Sequence, residues 1–535
     1  MINLVEKLRL KAQSLPISLE SWITAFAGIV LIRIFFEQFS SFIPQHFIVI
    51  DLPTILHYTA FFLATIILLM IILIKLGRIS LKEASVMSIF GLLILWTVPL
   101  IDLGTAGVGG HILSYPFLHL NELGLRFITF FGGHINLGAT LGVQIEIFTV
   151  ILACGLYVYT STKNILRSIG ASLAFYCLIF LLGSVPSLIA FFVAPQSDPT
   201  TVVIQSMISS HILENNIHPE FSATYTGLAN LAFNKTMLGV YTLISVVSVA
   251  MLFFIAERKK FLALMKNCRP ERVLHLFLLF IFGSALAYTG WFTSWIDIQS
   301  YLLALIAFFC ATMFSICQND LHDESIDSIS NPNRPLISKE VSRGEMGTAS
   351  KIFLALSILS AYASSHYILF FVSVFLFIYF IYSNPPLRLK RFTIISSFLV
   401  SLACLSVVLA GFFLLSAEKN IIAFPFSLAV AIVFFYTIIS NVRDIKDERG
   451  DRENGIKTLP VLLGIEKAKK VIAGSGSVLL LAIPWYFHNK LLIVPSIVAS
   501  ILSSYFILRK DYKEWKVFVV YLTYFVFIIC AVVLK

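Results

Sequence analysis

Two short acidic runs interrupt an otherwise apolar chain of 535 residues. The first is Asn319-Asp320-Leu-His322-Asp323-Glu324-Ser-Ile-Asp327, followed by Asn331-Pro-Asn333-Arg334-Pro335. The second is Asn441-Val-Arg443-Asp444-Ile-Lys446-Asp447-Glu448-Arg449-Gly450-Asp451-Arg452. If the preceding helix continues through the first run, Asn319, Asp323 and Asp327 recur at i, i+4 and i+8 and share a face, with Asp320 beside it. Asp444, Asp447 or Glu448, and Asp451 make a second stripe. Carboxylates this close repel one another, so a helix face carrying three is destabilised unless cations neutralise it. Hard oxygen ligands suit Mg²⁺, which is commonly held by a few carboxylates together with substrate phosphates. Two such faces can hold Mg²⁺ ions between them, with a diphosphate bridging the ions. For one stripe alone, the competing reading is a solvated charged loop that only orients its helices. Two stripes, both at helix ends on one membrane face, favour a site, because ordered acids at a membrane are costly.

The elements that must position these stripes are membrane helices. The chain is 58% hydrophobic and only 13% charged, with 49 Phe and a mean hydropathy of +0.90. A soluble domain is typically about 25% charged. A span needs about 20 apolar residues. Six runs meet that measure in the first half, at about 20–40, 54–74, 84–101, 138–160, 169–194 and 237–256. Nine follow, at about 273–291, 297–317, 350–364, 367–383, 393–416, 421–440, 470–487, 490–508 and 517–534. The expected fold is therefore an all-α polytopic transmembrane bundle, with an approximately six-helix membrane domain (1–256), a basic cytoplasmic connector (257–270) and a nine-helix domain (271–535). With a cytoplasmic N-terminus, strict alternation puts Arg258, Lys259 and Lys260, then Arg334, Lys339 and Arg343, then Arg388, Lys390 and Arg391 inside. Eight further basic residues between Arg443 and Lys470 fall on the same side. After the connector, only Lys419, Lys490 and the terminal Lys535 fall outside. This bias supports the count and the orientation. It places both acidic runs on the cytoplasmic face and the C-terminus opposite.

The net charge of +10 is that of orienting loops, with no nucleic-acid partner implied. The seven cysteines are scattered and form no paired-cysteine zinc pattern. The first apolar run is long enough to span and no small-residue cleavage site follows it, so no cleavable signal peptide is expected.

Asn319-Asp320-x-x-Asp323-x-x-x-Asp327, with Arg334-Pro335 downstream, resembles the first signature of the UbiA family of intramembrane prenyltransferases. Asp444-Ile-Lys-Asp447-Glu-Arg-Gly450-Asp451-Arg-x-x-Gly455-Ile-Lys457-Thr458-Leu459-Pro460 resembles the second. Tyr382-Ser-Asn-Pro385-Pro386-Leu-Arg388-Leu-Lys390-Arg391, between them, is similar to the family's basic loop after its fourth helix. The resemblance covers about 265–535, and nine helices is the family's number. One departure is Lys339, which stands near the family's small-residue Gly turn.

The resemblance implies Mg²⁺-dependent transfer of a prenyl group from a polyprenyl diphosphate to an acceptor, with release of diphosphate. It implies a metal set of Asn319, Asp320, Asp323, Asp327, Asp444, Asp447 and Asp451, and diphosphate contacts from Arg334, Lys390 and Lys457. Lys390 is then also catalytic, beside Tyr382, whose ring face can stabilise an allylic cation. For Tyr382 an ordinary interfacial aromatic is the plain alternative, as a positive-inside loop charge is for each basic residue, most of all Arg388 and Arg391. Acceptors in the family include quinone precursors, homogentisate, haem, chlorophyllide and archaeal glycerol ethers, and the sequence does not choose among them. A further branch uses a phosphoribosyl diphosphate donor and a polyprenyl phosphate acceptor.

The first half carries no comparable chemistry. His111, His119, His134, His211 and His218 fall on or near non-cytoplasmic loops, with spacings that match no zinc pattern. Gly104–Gly110 and Phe131-Gly-Gly133 suggest a re-entrant or interfacial segment within 102–137. Asp102 and Glu146 lie at or within apolar runs and can line a polar cavity. A protein partner, lipid handling or transport all remain open for this half. The rivals to an enzyme are a transporter, whose acids belong at mid-span, and a scaffold with a degenerate enzyme half.

Overall fold

The computed structural model describes residues 2–42, 51–106, 120–132, 139–194, 197, 199–210, 225–287, 292 and 294–534. His111, His119, His134, His211 and His218, and most of 107–138 around Leu120–Ile128, lie outside the described residues. Among those described, the protein is all helical, and the one β-type contact is an isolated bridge between Phe392 and Lys457. Among the described residues, thirteen helices are long and apolar enough to cross a membrane by length and composition. The protein is a multi-pass integral membrane protein. Two further helices, Pro270–Leu286 and Ile465–Tyr486, lie where the other two spans were expected; the first has 17 residues, and the second carries Lys467, Lys469 and Lys470 in its opening turns.

Contacts divide the chain into two compact units, one of Met1–Ser209 with His218–Arg258, the other of Ser210–Ile217 with Lys259–Lys535. In the first unit, helices Leu52–Gly77, Leu81–Leu92, Leu141–Thr162 and Ile165–Gly183 each start at a side-chain N-cap, from Asp51, Ser80, Thr140 and Asn164. The expected span 169–194 is shorter than its apolar run. It ends at Gly183, and Pro186 opens a separate helix, Val185–Val193. Asp102 and Glu146 do line a small cavity of about 140 Å³, together with Arg33 and Glu37. Arg33 is paired with Glu37 at 2.7 Å, while Asp102 accepts from Thr140 Oγ1 (2.6 Å) and from the Gly142 N–H (2.8 Å).

In the second unit, Trp295–His322 is a 28-residue helix opened by a capping box between Ser294 and Asp297. Along most of its length it is buried, and it carries the first acidic run at its far end. Helices Pro270–Leu286 and Thr393–Leu415 meet backbone to backbone. A Cβ on Gly283 would lie 1.9 Å from Val408 O, and one on Gly411 would lie 2.0 Å from Phe280 O. In hydrocarbon, where lipid tails are as apolar as Leu, such small-residue contacts let helices pack closely enough for dispersion to hold them together. Ser284 Oγ adds a hydrogen bond to Gly411 O at 3.3 Å.

This contact predicts a sharp contrast. Gly283→Ala and Gly411→Ala force the helices apart and cost roughly 3 kcal/mol each, the top of the usual range for overpacking because the obstacle is backbone. Gly474→Ala, in the Ile465–Tyr486 helix with nothing within 4 Å of the added carbon, is neutral or stabilising by up to about 1 kcal/mol. Melting midpoints of the purified variants in one detergent check both.

Candidate active site

The first acidic run does not continue its helix. Trp295–His322 ends at Asp323, whose backbone leaves the helical region (φ −111°, ψ 18°), and a short helix, Glu324–Ser330, follows. Asn319, Asp323 and Asp327 line a cavity of about 520 Å³, but Asp320 does not. Asp320 is 1% exposed and accepts from Asn267 Nδ2 (2.7 Å), Arg269 (3.1 Å) and Arg334 (2.9 Å). A buried carboxylate that accepts from one amide and two guanidinium groups ties Asn267, Arg269 and Arg334 to the end of the long helix.

The second run behaves as the spacing predicts. Phe426–Ile439 tightens through a 3₁₀ turn, Ser440–Arg443, into the helix Asp444–Glu453, and Asp444, Asp447 and Asp451 all line the same cavity. The two runs lie within reach of one side chain. Asn331 Nδ2 donates to Asp327 Oδ1 and to Asp447 Oδ1, at 3.2 Å each. Gly450 permits this approach, because a Cβ there would sit 2.4 Å from Ser330 Oγ and 3.1 Å from Ile326 Cγ2.

Basic residues neutralise the acids. Lys390 is paired with Asp323 and lies 3.4 Å from Asn319 Oδ1. Arg388 donates to Asp323 Oδ1 at 2.9 Å, so it serves the site and is not merely a loop charge. Arg334 is paired with Asp327 as well as with Asp320. Burial pushes the Asp327 carboxyl up to about 6 against the pull of Arg334. Burial likewise draws the Lys390 ammonium below its ordinary value, opposed by Asp323. Lys457 is not brought in: its side chain is exposed and outside the cavity lining. Lys339 sits at φ 61°, so the loop keeps a left-handed turn even though a lysine stands where glycine is easier.

Several participants were not legible as such. Asn267 and Arg269, read as connector, hold Asp320, and Arg269 and Arg272 line the cavity. Arg272 is paired with Glu514 (3.0 Å), which also pairs with Lys446. The available signal was Arg269-x-x-Arg272 one turn ahead of an apolar helix. Below the acids, Tyr382 and Tyr379 line the cavity with ring centroids 6.1 Å apart, and Leu279, Phe375, Leu428 and Phe525 make an apolar wall.

Among the described residues no three carboxylates converge on a common point at coordination distance. The donor set still fits a hard divalent cation. Asn319, Asp323, Asp327, Asp444, Asp447 and Asp451 present oxygen ligands to one cavity from two facing helix ends. A cation there would displace Lys390 and Arg334 from their carboxylates and free both for a further anion.

Residues 276–528 match the family model described as the UbiA prenyltransferase family. The chain is 29% identical over 192 residues to a chloroplast chlorophyll synthase of Oryza sativa subsp. japonica, covering 34% of this chain and 49% of that one. It is 32% identical over 183 residues to a digeranylgeranylglyceryl phosphate synthase of Methanothermobacter thermautotrophicus, covering 33% and 60%. The chain thus spans about half the length of these relatives. A UbiA homologue from Archaeoglobus fulgidus, solved with GPP and Mg²⁺, aligns with a TM-score of 0.41 and 21% identity, over 51% of this chain and all of that one. The C-terminal half of the chain is homologous to the UbiA family of intramembrane prenyltransferases.

The geometry separates Asp320 from its neighbours. Asp320→Asn leaves Mg²⁺ affinity within about twofold but lowers stability by roughly 3 kcal/mol, the cost of breaking a buried charged pair. Asp323→Asn and Asp447→Asn do the reverse, weakening Mg²⁺ at least about tenfold, since each removes a charged oxygen ligand. Calorimetric Mg²⁺ titration beside thermal melting distinguishes them.

Proposed function

We propose that the protein catalyses Mg²⁺-dependent transfer of a prenyl group from a polyprenyl diphosphate to an acceptor at the membrane, releasing diphosphate. The observation that carries this reading is that both acidic runs open on one cavity that is lined by basic residues beside them and is otherwise mostly apolar and aromatic. A hydrated metal–diphosphate head and a hydrocarbon tail need those two environments side by side. The homology of 276–528 supports it.

In this reading Asn319, Asp323, Asp327, Asp444, Asp447 and Asp451 hold Mg²⁺, and Asp320 anchors Arg334 and Arg269. Mg²⁺ held there would supply charge neutralisation for the departing diphosphate. Lys390, Arg334 and Arg272 supply further positive charge to the diphosphate oxygens. The allylic C1–O bond breaks, and its electron pair departs with the diphosphate. The Tyr382 and Tyr379 rings present their electron-rich faces to the allylic cation. The acceptor's nucleophilic atom supplies the electron pair of the new bond to C1, and the proton it loses passes to diphosphate or water. The apolar wall keeps water from capturing the cation first.

The partition into six helices (1–256), connector (257–270) and nine helices (271–535), with the acidic runs and N-terminus cytoplasmic, belongs to the same proposal. The charge bias supports it. The acids lie at helix ends, whereas an ion path would place them at mid-span.

The test incubates purified protein with Mg²⁺, labelled geranylgeranyl diphosphate and an acceptor panel, with labelled phosphoribosyl diphosphate in a parallel arm. Wild-type protein releases diphosphate and forms a prenylated product. Asp323→Ala and Asp444→Ala lose at least about 100-fold, as expected when charge stabilisation of the transition state is removed. Turnover confined to the phosphoribosyl arm, or no release by wild-type protein with any acceptor, overturns the proposal.

A further inference from the structure

The chain that leaves the second acidic run folds back onto the cavity. Gly455 turns it with a left-handed backbone (φ 70°), and the Ile456 N–H donates to Asp451 O at 2.8 Å. The next three residues alternate: Ile456 is buried, Lys457 is exposed and Thr458 is only 5% exposed. This is the side-chain pattern of extended backbone, where successive residues point to opposite faces. An isolated parallel bridge between Lys457 and Phe392 sets this stretch beside the chain that has just passed Lys390. Ile456 and Thr458 line the cavity with Asp451 and Lys390, while Lys457 turns away from it.

Thr458 Oγ1 is buried and has no hydrogen-bond partner among the described residues. Local structure does not use it. Thr458 is the N-cap of the short helix Leu459–Leu463, yet its side chain makes no capping bond, and Pro460 in the first turn has no N–H to offer. The backbone groups of the same residue are satisfied. Its N–H donates to Ile456 O at 3.2 Å, and its carbonyl accepts from the Leu462 N–H at 2.9 Å. A hydroxyl buried without a partner is destabilising, and folded proteins keep few of them. This one stands on a cavity wall between Asp451 and the Lys390 loop.

We infer that Thr458 is a diphosphate-binding residue, its hydroxyl donating to an oxygen of the donor's diphosphate beside Lys390. The inference rests on the transferase reading above and gives that site a neutral donor among its cations. The acidic runs already offer oxygen ligands to the metal. The diphosphate, in contrast, brings several anionic oxygens that need donors, and a hydroxyl bond to an ionised oxygen is among the stronger hydrogen bonds. It strengthens further as negative charge collects on the departing group. The contact that the resemblance implies for Lys457 belongs to its neighbour, one residue on and on the opposite face of the chain.

Calorimetric binding of inorganic diphosphate to the full-length protein in the presence of Mg²⁺ is the test. Thr458→Val replaces the hydroxyl with a methyl group of nearly the same shape and weakens diphosphate about tenfold, the loss of a hydrogen bond to a charged group. Thr458→Ala gives a similar loss, so the result does not depend on how one methyl group fits. Thr458→Ser keeps the hydroxyl and stays within about threefold of wild type. Lys457→Gln stays within about twofold, as expected of an exposed charge outside the cavity. Titration with Mg²⁺ alone separates a diphosphate contact from a metal ligand, since Thr458→Val leaves that affinity within about twofold. Melting separates both from a structural role. The hydroxyl has no partner in the ligand-free protein, so Thr458→Val melts at or above the wild-type temperature. Wild-type diphosphate affinity in Thr458→Val and Thr458→Ala overturns the inference. So does a lower melting temperature for ligand-free Thr458→Val, or a loss of diphosphate in Lys457→Gln that exceeds the loss in Thr458→Val. Wild-type protein that binds no diphosphate with Mg²⁺ overturns the transferase reading itself, and the role of Thr458 with it.

Discussion

The site depends on bringing two acidic helix ends together. Asp323 and Asp327 face Asp444, Asp447 and Asp451 across one cavity, and Asn331 touches both groups. Like charges at such distances repel by several kcal/mol in a medium less polar than water. The structure offsets this by placing Lys390, Arg388 and Arg334 on the first run and by letting Gly450 nest against Ile326 and Ser330. The arrangement is therefore poised. In the proposed reaction the same basic groups that neutralise the acids would be the ligands for a diphosphate once cations take their place.

The rest of the second unit serves that approach. The backbone contact at Gly283 and Gly411 packs the helix that begins just after Arg269 against the one that begins just after Lys390. The buried carboxylate of Asp320 ties Asn267, Arg269 and Arg334 to the end of the long central helix. Glu514 does the same from the last helix, holding Arg272 and Lys446. Ion pairs of this kind define geometry more than they add stability, because desolvation cancels much of their attraction. Here they fix where each cation stands around one cavity, whose depth is apolar and whose rim is charged. Such a gradient suits a substrate with a hydrocarbon tail and a diphosphate head.

Much of this was legible in the sequence, and what was not has physical causes. Periodic apolar runs locate the helices because lipid demands about 20 apolar residues per span. Local carboxylate spacing located Asp444, Asp447 and Asp451, since their helix is unbroken. Asp320 is placed differently from the other acids of its run. It lies within the long helix, ahead of the turn at Asp323, and accepts from the distant Asn267 and Arg269 as well as from Arg334, partners that local spacing does not reveal. Lys457 was implied by resemblance to touch a diphosphate, and it is exposed. Arg269, Arg272 and Glu514 were invisible because their partners are distant in sequence: Arg272 meets Glu514 across 242 positions. Basic residues at a membrane border carry no local sign that separates an orienting charge from a site residue, and Arg388 was undervalued for that reason. Lys339 went the other way: its departure from glycine left the left-handed turn intact.

The central claim is that the two acidic runs are one site. A double-mutant cycle on Mg²⁺-dependent binding of inorganic diphosphate, with Asp323→Asn, Asp447→Asn and their combination measured by calorimetry, tests it directly. A shared metal–diphosphate complex predicts strong non-additivity, with a coupling of at least about 1 kcal/mol between the two substitutions. Losses that add to within about 0.5 kcal/mol, the behaviour of independent sites, would contradict it.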